Sequence, residues 1–140
     1  MAPIVRRSNQ RIVMALIRSF RDLSVYQRAR TETQRVFRLT QTFPAGEKYS
    51  LTDQIRRSSR AVKSMIAEAW GRRRYPASFV SKLTDALGEA TETQSWLDDA
   101  LDCGYIAAAQ HKELDAAWQS IGASLNKMID RADDFCRNAK

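Results

Sequence analysis

The chain has 140 residues and a formal net charge of +7; 44% of its residues are hydrophobic and 28% are charged. These values fit one globular domain, and the chain is too short for two. Few glycines and prolines argue against a β-rich fold. The sequence has no apolar run of roughly 18 residues that could span a membrane and no secretion signal at its N-terminus, so we expect a cytoplasmic protein.

Charge is distributed unevenly along the chain. Residues 1–74 contain 17 Lys and Arg against 5 Asp and Glu, whereas residues 75–140 contain 6 against 11. This asymmetry indicates a surface for a charged partner. An equally weighted alternative is that the basic half faces the acidic half, within the fold or between subunits.

The first predicted helix runs from near Asp22 to the "FPAGEKYS" turn, where Pro44 and Gly46 end it. Apolar residues recur along it at spacings of three or four, which is the periodicity of one helix face. These positions are Leu23, Tyr26, Ala29, Val36, Phe37 and Phe43.

The second predicted helix begins after Ser50, which resembles a capping box with Asp53 three residues later. It continues to about Trp70, and Gly71 ends it. The residues expected to face the core are Ile55, Val62, Ile66 and Ala69.

Two further helices are predicted in the second half of the chain. Pro76 suits the first turn of the third helix, and Gly104 is expected to terminate it. Its inward residues are predicted to be Phe79, Leu83, Leu87, Ala90, Gln94, Leu97 and Leu101. The fourth helix follows Tyr105 and Ile106, with Leu114, Trp118, Ile121, Leu125, Met128, Ala132 and Phe135 inward.

Four amphipathic segments joined by short connections predict an all-α fold, an antiparallel up-down-up-down four-helix bundle over residues 19–140. Residues 1–18 are predicted to be a basic N-terminal arm, loosely ordered or helical, and Met14 is an alternative start of the natural protein. Cys103 and Cys136 would lie about 45 Å apart along the fourth helix. That distance is too long for a disulfide, so reduced thiols are expected.

Several stretches of the chain resemble a known family. They are "FRDLSVYQRA", "FP..EKYSLTDQIRRSS", "IAEAWGRR" and "FVSKLTDALGEATETQSWLDDALDCGYI". Together they are similar to the four-helix-bundle proteins encoded in 23S rRNA intervening sequences, over about residues 20–135. The resemblance implies a homopentamer of antiparallel bundles. The related accessory variability determinant proteins of diversity-generating retroelements bind a reverse transcriptase and nucleic acid through a basic surface.

The chain departs from the family pattern within the second helix. Relatives typically carry "SIPSNIAEG", whereas this chain has "AVKSMIAEA", with Lys63 in place of the proline. Met65 and Ala69 replace the asparagine and the glycine. Because a proline within a helix kinks it and removes a hydrogen bond, this change predicts a straighter and more basic second helix.

Basic residues form two stripes on the predicted helices. On the second helix they follow the edge of the inward face, and on the first helix they recur every seven residues, opposite the apolar face. An "RRR" triplet follows the second helix. The candidate nucleic-acid-binding residues are Arg21, Arg28, Arg35, Arg56, Arg60, Lys63, Arg72, Arg73 and Arg74.

In an up-and-down bundle, the start of the first helix and the ends of the second and fourth helices share one pole. That pole would gather Arg18, Arg21, Arg72, Arg73, Arg74, Arg137 and Lys140. Clustered cations of this kind bind phosphates, and Trp70 and Tyr75 could stack on unpaired bases.

Each of these features also has a structural interpretation. Trp70 ends an inward stripe and is more often a core or interface anchor than a platform for a base. Individual arginines could pair with carboxylates on a neighbouring helix or subunit, namely Asp98, Asp99, Asp102 or Glu92. On the other flank of the second helix, Ser58, Ala61 and Met65 permit close helix approach and favour assembly over ligand binding.

The sequence lacks the residues of common catalytic sites. His111 is the only histidine, so the Glu-x-x-His pairs of di-iron bundles cannot form, and we expect it at the surface. Zinc-spaced cysteines, a Gly-rich phosphate loop and a nucleophile elbow are absent. The pairs Asp98–Asp99 and Asp133–Asp134 could suggest a metal site, but solvated helix faces carry such pairs routinely. We therefore predict no enzyme, no catalytic residue, no metal and no cofactor.

The leading functional hypothesis is a non-enzymatic, nucleic-acid-binding helical scaffold that contacts RNA or an RNA/cDNA hybrid. From the resemblance, it would be an accessory to a reverse transcriptase of the diversity-generating retroelement type. The alternative is a structural or protein-interaction oligomer whose basic face meets an acidic protein partner without binding nucleic acid. Neither hypothesis involves a membrane.

Overall fold

The computed structural model describes residues 16–137 and residue 139. Five α helices follow one another: α1 (Ser24–Thr40), α2 (Leu51–Gly71), α3 (Pro76–Asp102), α4 (Ala108–Asp130) and α5 (Ala132–Cys136). Short 3-10 turns at Phe20–Asp22 and Ala45–Glu47 precede α1 and α2. The described part of the chain contains no strand, which confirms the all-α prediction.

The helices form one packed bundle. Each of the four long helices packs against the next in the chain, and α1 also packs against α4. The largest fully buried side chains come from all four of them and include Trp118, Phe79, Ile55 and Val36. The predicted inward residues of α4 from Leu114 to Met128 are all buried, so its strict three- and four-residue spacing indicated the correct face.

The buried face of α3 differs from the predicted one. Beyond Leu83, the core residues are Ala86, Ala90, Thr93, Leu97 and Ala100. The predicted inward residues Leu87, Gln94 and Leu101 are only half-buried. The reason is close packing: the hydroxyl oxygens of Ser58 and Thr93 lie 2.8 Å apart in a hydrogen bond between α2 and α3. The small residues of this face, Ala86, Ala90, Thr93 and Ala100, let α2 approach closely between Leu83 and Leu97.

Two predicted helix boundaries are confirmed. Pro76 is the first residue of α3. Gly104 adopts a φ of 74° directly after the C-cap of that helix. The N–H groups of Tyr105 and Gly104 then donate to the carbonyls of Ala100 and Leu101, each at 2.9 Å. This is the Schellman pattern, in which a left-handed residue lets the chain satisfy the last carbonyls of a helix.

The predicted capping box at the start of α2 is wrong. Ser50 is the N-cap, but its backbone is not extended and its side chain makes no capping hydrogen bond. Asp53 instead forms an ion pair at 3.8 Å with Arg57, one turn further along the helix. A capping box does occur at Ser19, whose hydroxyl accepts from the N–H of Arg21, while Asp22 accepts from the N–H of Ser19.

The fourth predicted helix is not continuous. It breaks at Arg131, with φ −108° and ψ 25°, and α5 then packs against α3. The break turns Phe135 toward Phe79, and the two rings stack with their centroids 5.8 Å apart. This stacked aromatic pair connects α5 to the first turn of α3.

The remaining predictions concern α2, the cysteines, the N-terminal arm and membrane spans. The helix α2 is continuous through Lys63, as expected without the family's proline. Cys103 and Cys136 are both free. The predicted N-terminal arm lies outside the described residues except for residues 16–18. Among the described residues, no helix is both long enough and apolar enough to cross a membrane.

Candidate nucleic-acid interface

Three basic side chains follow one edge of α2. Arg56 and Lys63 are half-buried and Arg60 is exposed, directly beside the buried residues Ile55, Ser59 and Val62. This is the predicted position, flanking the core. None of the three cations forms an ion pair with the residues that the structure describes. Their positive charge therefore faces the surface without a neutralising carboxylate.

An aromatic ring on α1 supports two of these cations. The guanidinium carbons of Arg56 and Arg60 lie 4.7 Å and 5.9 Å from the ring centroid of Phe37. Arg56 also donates from Nε to the hydroxyl of Thr40 at 2.8 Å. Stacking on a ring orients a guanidinium without removing its charge, so both groups keep donors for an anion.

Sequence reasoning missed Arg30. It lies seven residues before Phe37, so the two positions share a face of α1, and it is exposed without an ion pair among the described residues. The spacing from Phe37 could have revealed it. We call the surface formed by Arg30, Phe37, Arg56, Arg60 and Lys63 the basic groove, because it follows the seam between α1 and α2.

Arg28 and Arg35 do not belong to this surface. They were expected opposite the apolar face of the first helix, but both turn toward α4. Arg28 donates to the hydroxyls of Ser120, at 2.9 Å, and Ser124. Arg35 forms ion pairs with Glu32 at 3.0 Å and Glu113 at 2.8 Å.

The environment of Arg35 keeps it charged and neutralised. Partial burial disfavours the charged guanidinium, but the hydrogen bonds and charges of Glu32 and Glu113 outweigh burial and raise the pKa of Arg35 above its ordinary value. Because its charge is already balanced, Arg35 has little to offer a phosphate.

Three chain segments of the predicted pole meet at one cavity, and Arg73 and Arg137 are the arginines that line it. A cavity of about 170 Å³ is lined by Ile17, by Trp70 and Arg73 at the end of α2, and by Phe135 and Arg137 of the C-terminal segment, with Asp134 and Ala139 completing it. The arginine pole comprises Arg18, Arg21, Arg72, Arg73, Arg74 and Arg137. Lys140, also predicted here, lies outside the described residues.

The three consecutive arginines of the pole have different environments. Arg72 pairs with Glu68 at 2.7 Å. Arg73 lies over the ring of Trp70, 3.9 Å from its centroid, and donates to the Trp70 carbonyl at 2.8 Å. Arg74 is exposed, and its side chain has no hydrogen bond or ion pair within the described region.

The two candidate platforms for bases differ in accessibility. Trp70 packs partly against the core and carries Arg73 on its face, so the structural interpretation of this residue is correct. Tyr75, by contrast, is 64% exposed immediately after the triplet. It is the aromatic side chain of this pole that a base could reach.

His111 was expected at the surface, but only 19% of its side chain is exposed. Its Nε2 lies 2.7 Å from Oδ1 of Asp98 across the contact between α3 and α4. Asp98, considered above as a partner for arginine, therefore pairs with the histidine instead.

The acidic half of the chain forms a flank on α3 that includes Asp85, Glu89 and Glu92. Burial, together with the charge and hydrogen bonding of Glu92 and the charge of Asp85, raises the pKa of Glu89 above 4.5. The surroundings of Glu89 therefore disfavour the charged form of its carboxylate.

Replacing Glu89 with glutamine should therefore raise the midpoint of thermal unfolding at neutral pH. The charged Glu89 carboxylate costs stability fully at pH values above its folded-state pKa and not at all below its unfolded-state pKa. The gain in unfolding midpoint of Glu89→Gln should therefore shrink as pH falls between these two values. Circular dichroism melts at neutral pH and below pH 4.5 measure it. The variant Asp99→Asn, at an exposed carboxylate ten residues further along α3, serves as control. An equal gain for Glu89→Gln at both pH values would contradict this explanation.

Comparisons with known proteins agree with this architecture. The model of the 23S rRNA-intervening sequence protein family matches residues 21–127. A protein of unknown function from the S23 ribosomal protein family of Bacteroides thetaiotaomicron has a similar crystal structure, with a TM-score of 0.69 and 27% sequence identity over 76% of this chain and 95% of that one. No curated protein matches the sequence. The chain belongs to the 23S rRNA-intervening sequence protein family.

Proposed function

We propose that this chain is a non-enzymatic nucleic-acid-binding protein that contacts the phosphate backbone through the basic groove and the arginine pole. One observation carries the proposal: Arg56, Arg60 and Lys63 follow one edge of α2, and none of them is paired with a carboxylate in the described structure. Clustered, unneutralised cations of this kind gain free energy by releasing counterions from a polyanion.

The groove and the pole are connected along α2. Arg56, Arg60 and Lys63 are spaced by four and three residues, and the same spacing beyond Lys63 reaches Ala67 and Trp70. The guanidinium of Arg73 lies over the ring of Trp70. From Arg56 to Trp70 the helix rises about 21 Å, at 1.5 Å per residue. One strand of duplex DNA carries a phosphate about every 3.4 Å, so this edge spans roughly six phosphates.

Tyr75 gives the pole a second mode of contact. An exposed aromatic ring next to an exposed arginine, Arg74, suits an unpaired base and its phosphate. This combination favours RNA with single-stranded segments, or an RNA/cDNA hybrid with a free end, over uniform duplex DNA.

The proposal extends to assembly and partner. The resemblance to the 23S rRNA intervening-sequence proteins supports the antiparallel up-down-up-down arrangement and the homopentamer. The role as accessory to a reverse transcriptase of a diversity-generating retroelement is proposed from the related accessory variability determinant proteins. Five copies would repeat the basic groove around one particle and multiply its charge.

Fluorescence anisotropy with labelled structured RNA and duplex DNA, at several salt concentrations, tests binding directly. We expect tight binding at low salt that weakens steeply as salt rises, with RNA preferred. Absence of binding to either probe at low salt would overturn the proposal.

A charge-matched pair of triple variants locates the interface. The interface variant carries Arg60→Gln, Lys63→Gln and Arg74→Gln. The control carries Lys48→Gln, Arg57→Gln and Lys112→Gln, which removes the same charge from exposed residues outside the groove and the pole. The interface variant should lose at least about tenfold in affinity, and its salt slope should flatten by roughly 2–3, since each phosphate contact contributes about 0.7–0.9.

Arg35→Gln adds a single-residue comparison, because Glu32 and Glu113 already neutralise this arginine. Its affinity for RNA should equal that of the wild type. Equal losses in the interface variant and the control would mean that only net charge matters and that the groove is not the binding surface.

The alternative function is a protein-interaction oligomer in which the basic groove meets an acidic surface. The flank with Asp85, Glu89 and Glu92 on α3 favours it, because a second copy could offer this flank to the groove. Sedimentation of the interface variant distinguishes the two functions: loss of assembly without any RNA binding by the wild type would support the alternative.

A further inference from the structure

Three metal-ligating side chains converge at the contact between α3 and α4. Asp98 comes from α3, and His111 and Asp115 come from successive turns of α4, so the latter two share one helix face. One ligand atom from each lies within 4.8 Å of the other two. We infer that these three residues form a site for a first-row transition-metal dication of the Zn²⁺ type. This inference does not depend on the proposed nucleic-acid binding.

The geometry suits a small ion. Zinc binds histidine nitrogen and carboxylate oxygen at about 2.0–2.2 Å, which places tetrahedral ligand atoms about 3.3 Å apart. The Asp98 and His111 atoms are 2.7 Å apart and would separate slightly, while the Asp115 oxygen would approach. Side-chain rotation alone supplies movements of this size, and the helices can remain in place.

A neighbouring amide orients the third ligand. The side-chain nitrogen of Gln94 donates to Oδ1 of Asp115 at 3.1 Å and to Oε1 of Gln119 at 3.0 Å. One oxygen of the Asp115 carboxylate is thereby held, and the other remains available to an ion. Hydrogen bonds of this kind to a ligating carboxylate commonly strengthen metal binding about 10–100-fold.

The donor set selects the class of metal. An imidazole with two carboxylates suits Zn²⁺, Co²⁺ or Ni²⁺, whereas Ca²⁺ and Mg²⁺ prefer oxygen ligands alone and more of them. His111 is largely buried, but Asp98 is 65% exposed, so water can reach the ion and complete its coordination. The bound ion would fasten α3 to α4 across the turn at Gly104.

Titration of untagged protein with Co²⁺ followed by Zn²⁺ tests the site, since an affinity tag of histidines would itself bind metal. We expect one Co²⁺ per chain, visible absorption bands without thiolate charge transfer, and displacement by Zn²⁺. Zn²⁺ should also raise the midpoint of thermal unfolding of the wild type. Failure of Co²⁺ to bind, or thiolate bands that vanish in Cys103→Ser, would overturn the inference.

Variants separate ligands from bystanders. His111→Ala and Asp115→Asn should each weaken binding at least about tenfold and remove the thermal shift, and Gln94→Ala should weaken it about tenfold. Asp99→Asn, which changes an adjacent carboxylate outside the cluster, should bind like the wild type. Far-UV circular dichroism checks that each variant folds. If His111→Ala does not fold, the metal affinity of Asp115→Asn tests whether the cluster binds the ion. Wild-type affinity in a folded His111→Ala or Asp115→Asn variant would contradict the assignment.

Discussion

Replacing Phe79 with alanine should lower the free energy of unfolding by about 3–5 kcal/mol, the usual cost of removing a buried phenyl ring and leaving a cavity. The ring of Phe79 is fully buried in the first turn of α3 and stacks on Phe135. The loss is a large part of the 5–15 kcal/mol that typically stabilises a domain. Chemical denaturation followed by circular dichroism measures it.

The neighbouring variant Val80→Ala is the control for this prediction. Val80 is only half-buried and lies one position away on the same helix turn, so its truncation should cost much less. Phe135→Ala should fall between the two, because Phe135 is also half-buried but belongs to the stacked pair. A cost for Val80→Ala as large as that for Phe79→Ala would contradict the expectation that the buried, stacked ring of Phe79 contributes more to stability.

The sequence predicts helices well where large apolar residues alone occupy the buried positions. On α4, Leu114, Trp118, Ile121 and Leu125 recur at steps of four and three, and all are buried. On α3, the core positions hold small residues as well as large ones. Choosing the larger apolar residue as the inward one therefore gives Leu87, although Ala86 is the buried residue. Which of the two faces inward depends on how closely α2 approaches, and this information lies in another helix.

The break at Arg131 could not be predicted from local residues. Neither glycine nor proline occurs there, and the apolar spacing continues through Ala132 and Phe135. The short helix after the break instead packs on α3, where Phe135 stacks on Phe79, more than 50 residues earlier in the chain. Tertiary contacts of this range override the local periodicity of a helix.

The candidate interface could be predicted in part. The spacing of Arg56, Arg60 and Lys63 beside the inward face of α2 correctly gives a stripe at the surface. The spacing of Arg35 does not show that its charge is neutralised, because its partner Glu113 is 78 residues away in sequence. A heptad spacing of arginines identifies a shared helix face, but the neighbouring helix decides whether that face keeps its charge.

The cluster of Asp98, His111 and Asp115 could not be predicted from the sequence. Asp98 and Asp115 lie on different helices, so no short sequence motif connects them. They meet because the turn at Gly104 returns the chain: Asp98 contacts His111, Gln94 contacts Asp115, and a side chain at Gly122 would contact Leu87. In these three pairs, each residue further back along α3 contacts a residue equally further forward along α4. The turn at Gly104 determines which residues of the two helices lie opposite each other.

Replacing Gly104 with alanine should therefore destabilise the protein by about 1–2 kcal/mol, because a residue with a Cβ pays roughly this amount in the left-handed region. The φ of 74° is the only cause to consider, since a Cβ at this position would meet no atom within 4 Å. Denaturant unfolding measures the loss. Gly104→Asn should lose less, because asparagine tolerates this conformation better than alanine does.

The same substitution at Gly88 should have the opposite sign. Gly88 lies within α3, is exposed, and would also place its Cβ in open space, but its backbone is helical. Alanine there should stabilise the protein by about 0.5–1 kcal/mol, since glycine has the greater conformational freedom in the unfolded chain. A loss of stability in Gly104→Ala with a gain in Gly88→Ala would establish that the cost at Gly104 comes from its left-handed conformation and not from the removal of a glycine. A stabilising Gly104→Ala would show that the turn does not require the left-handed conformation.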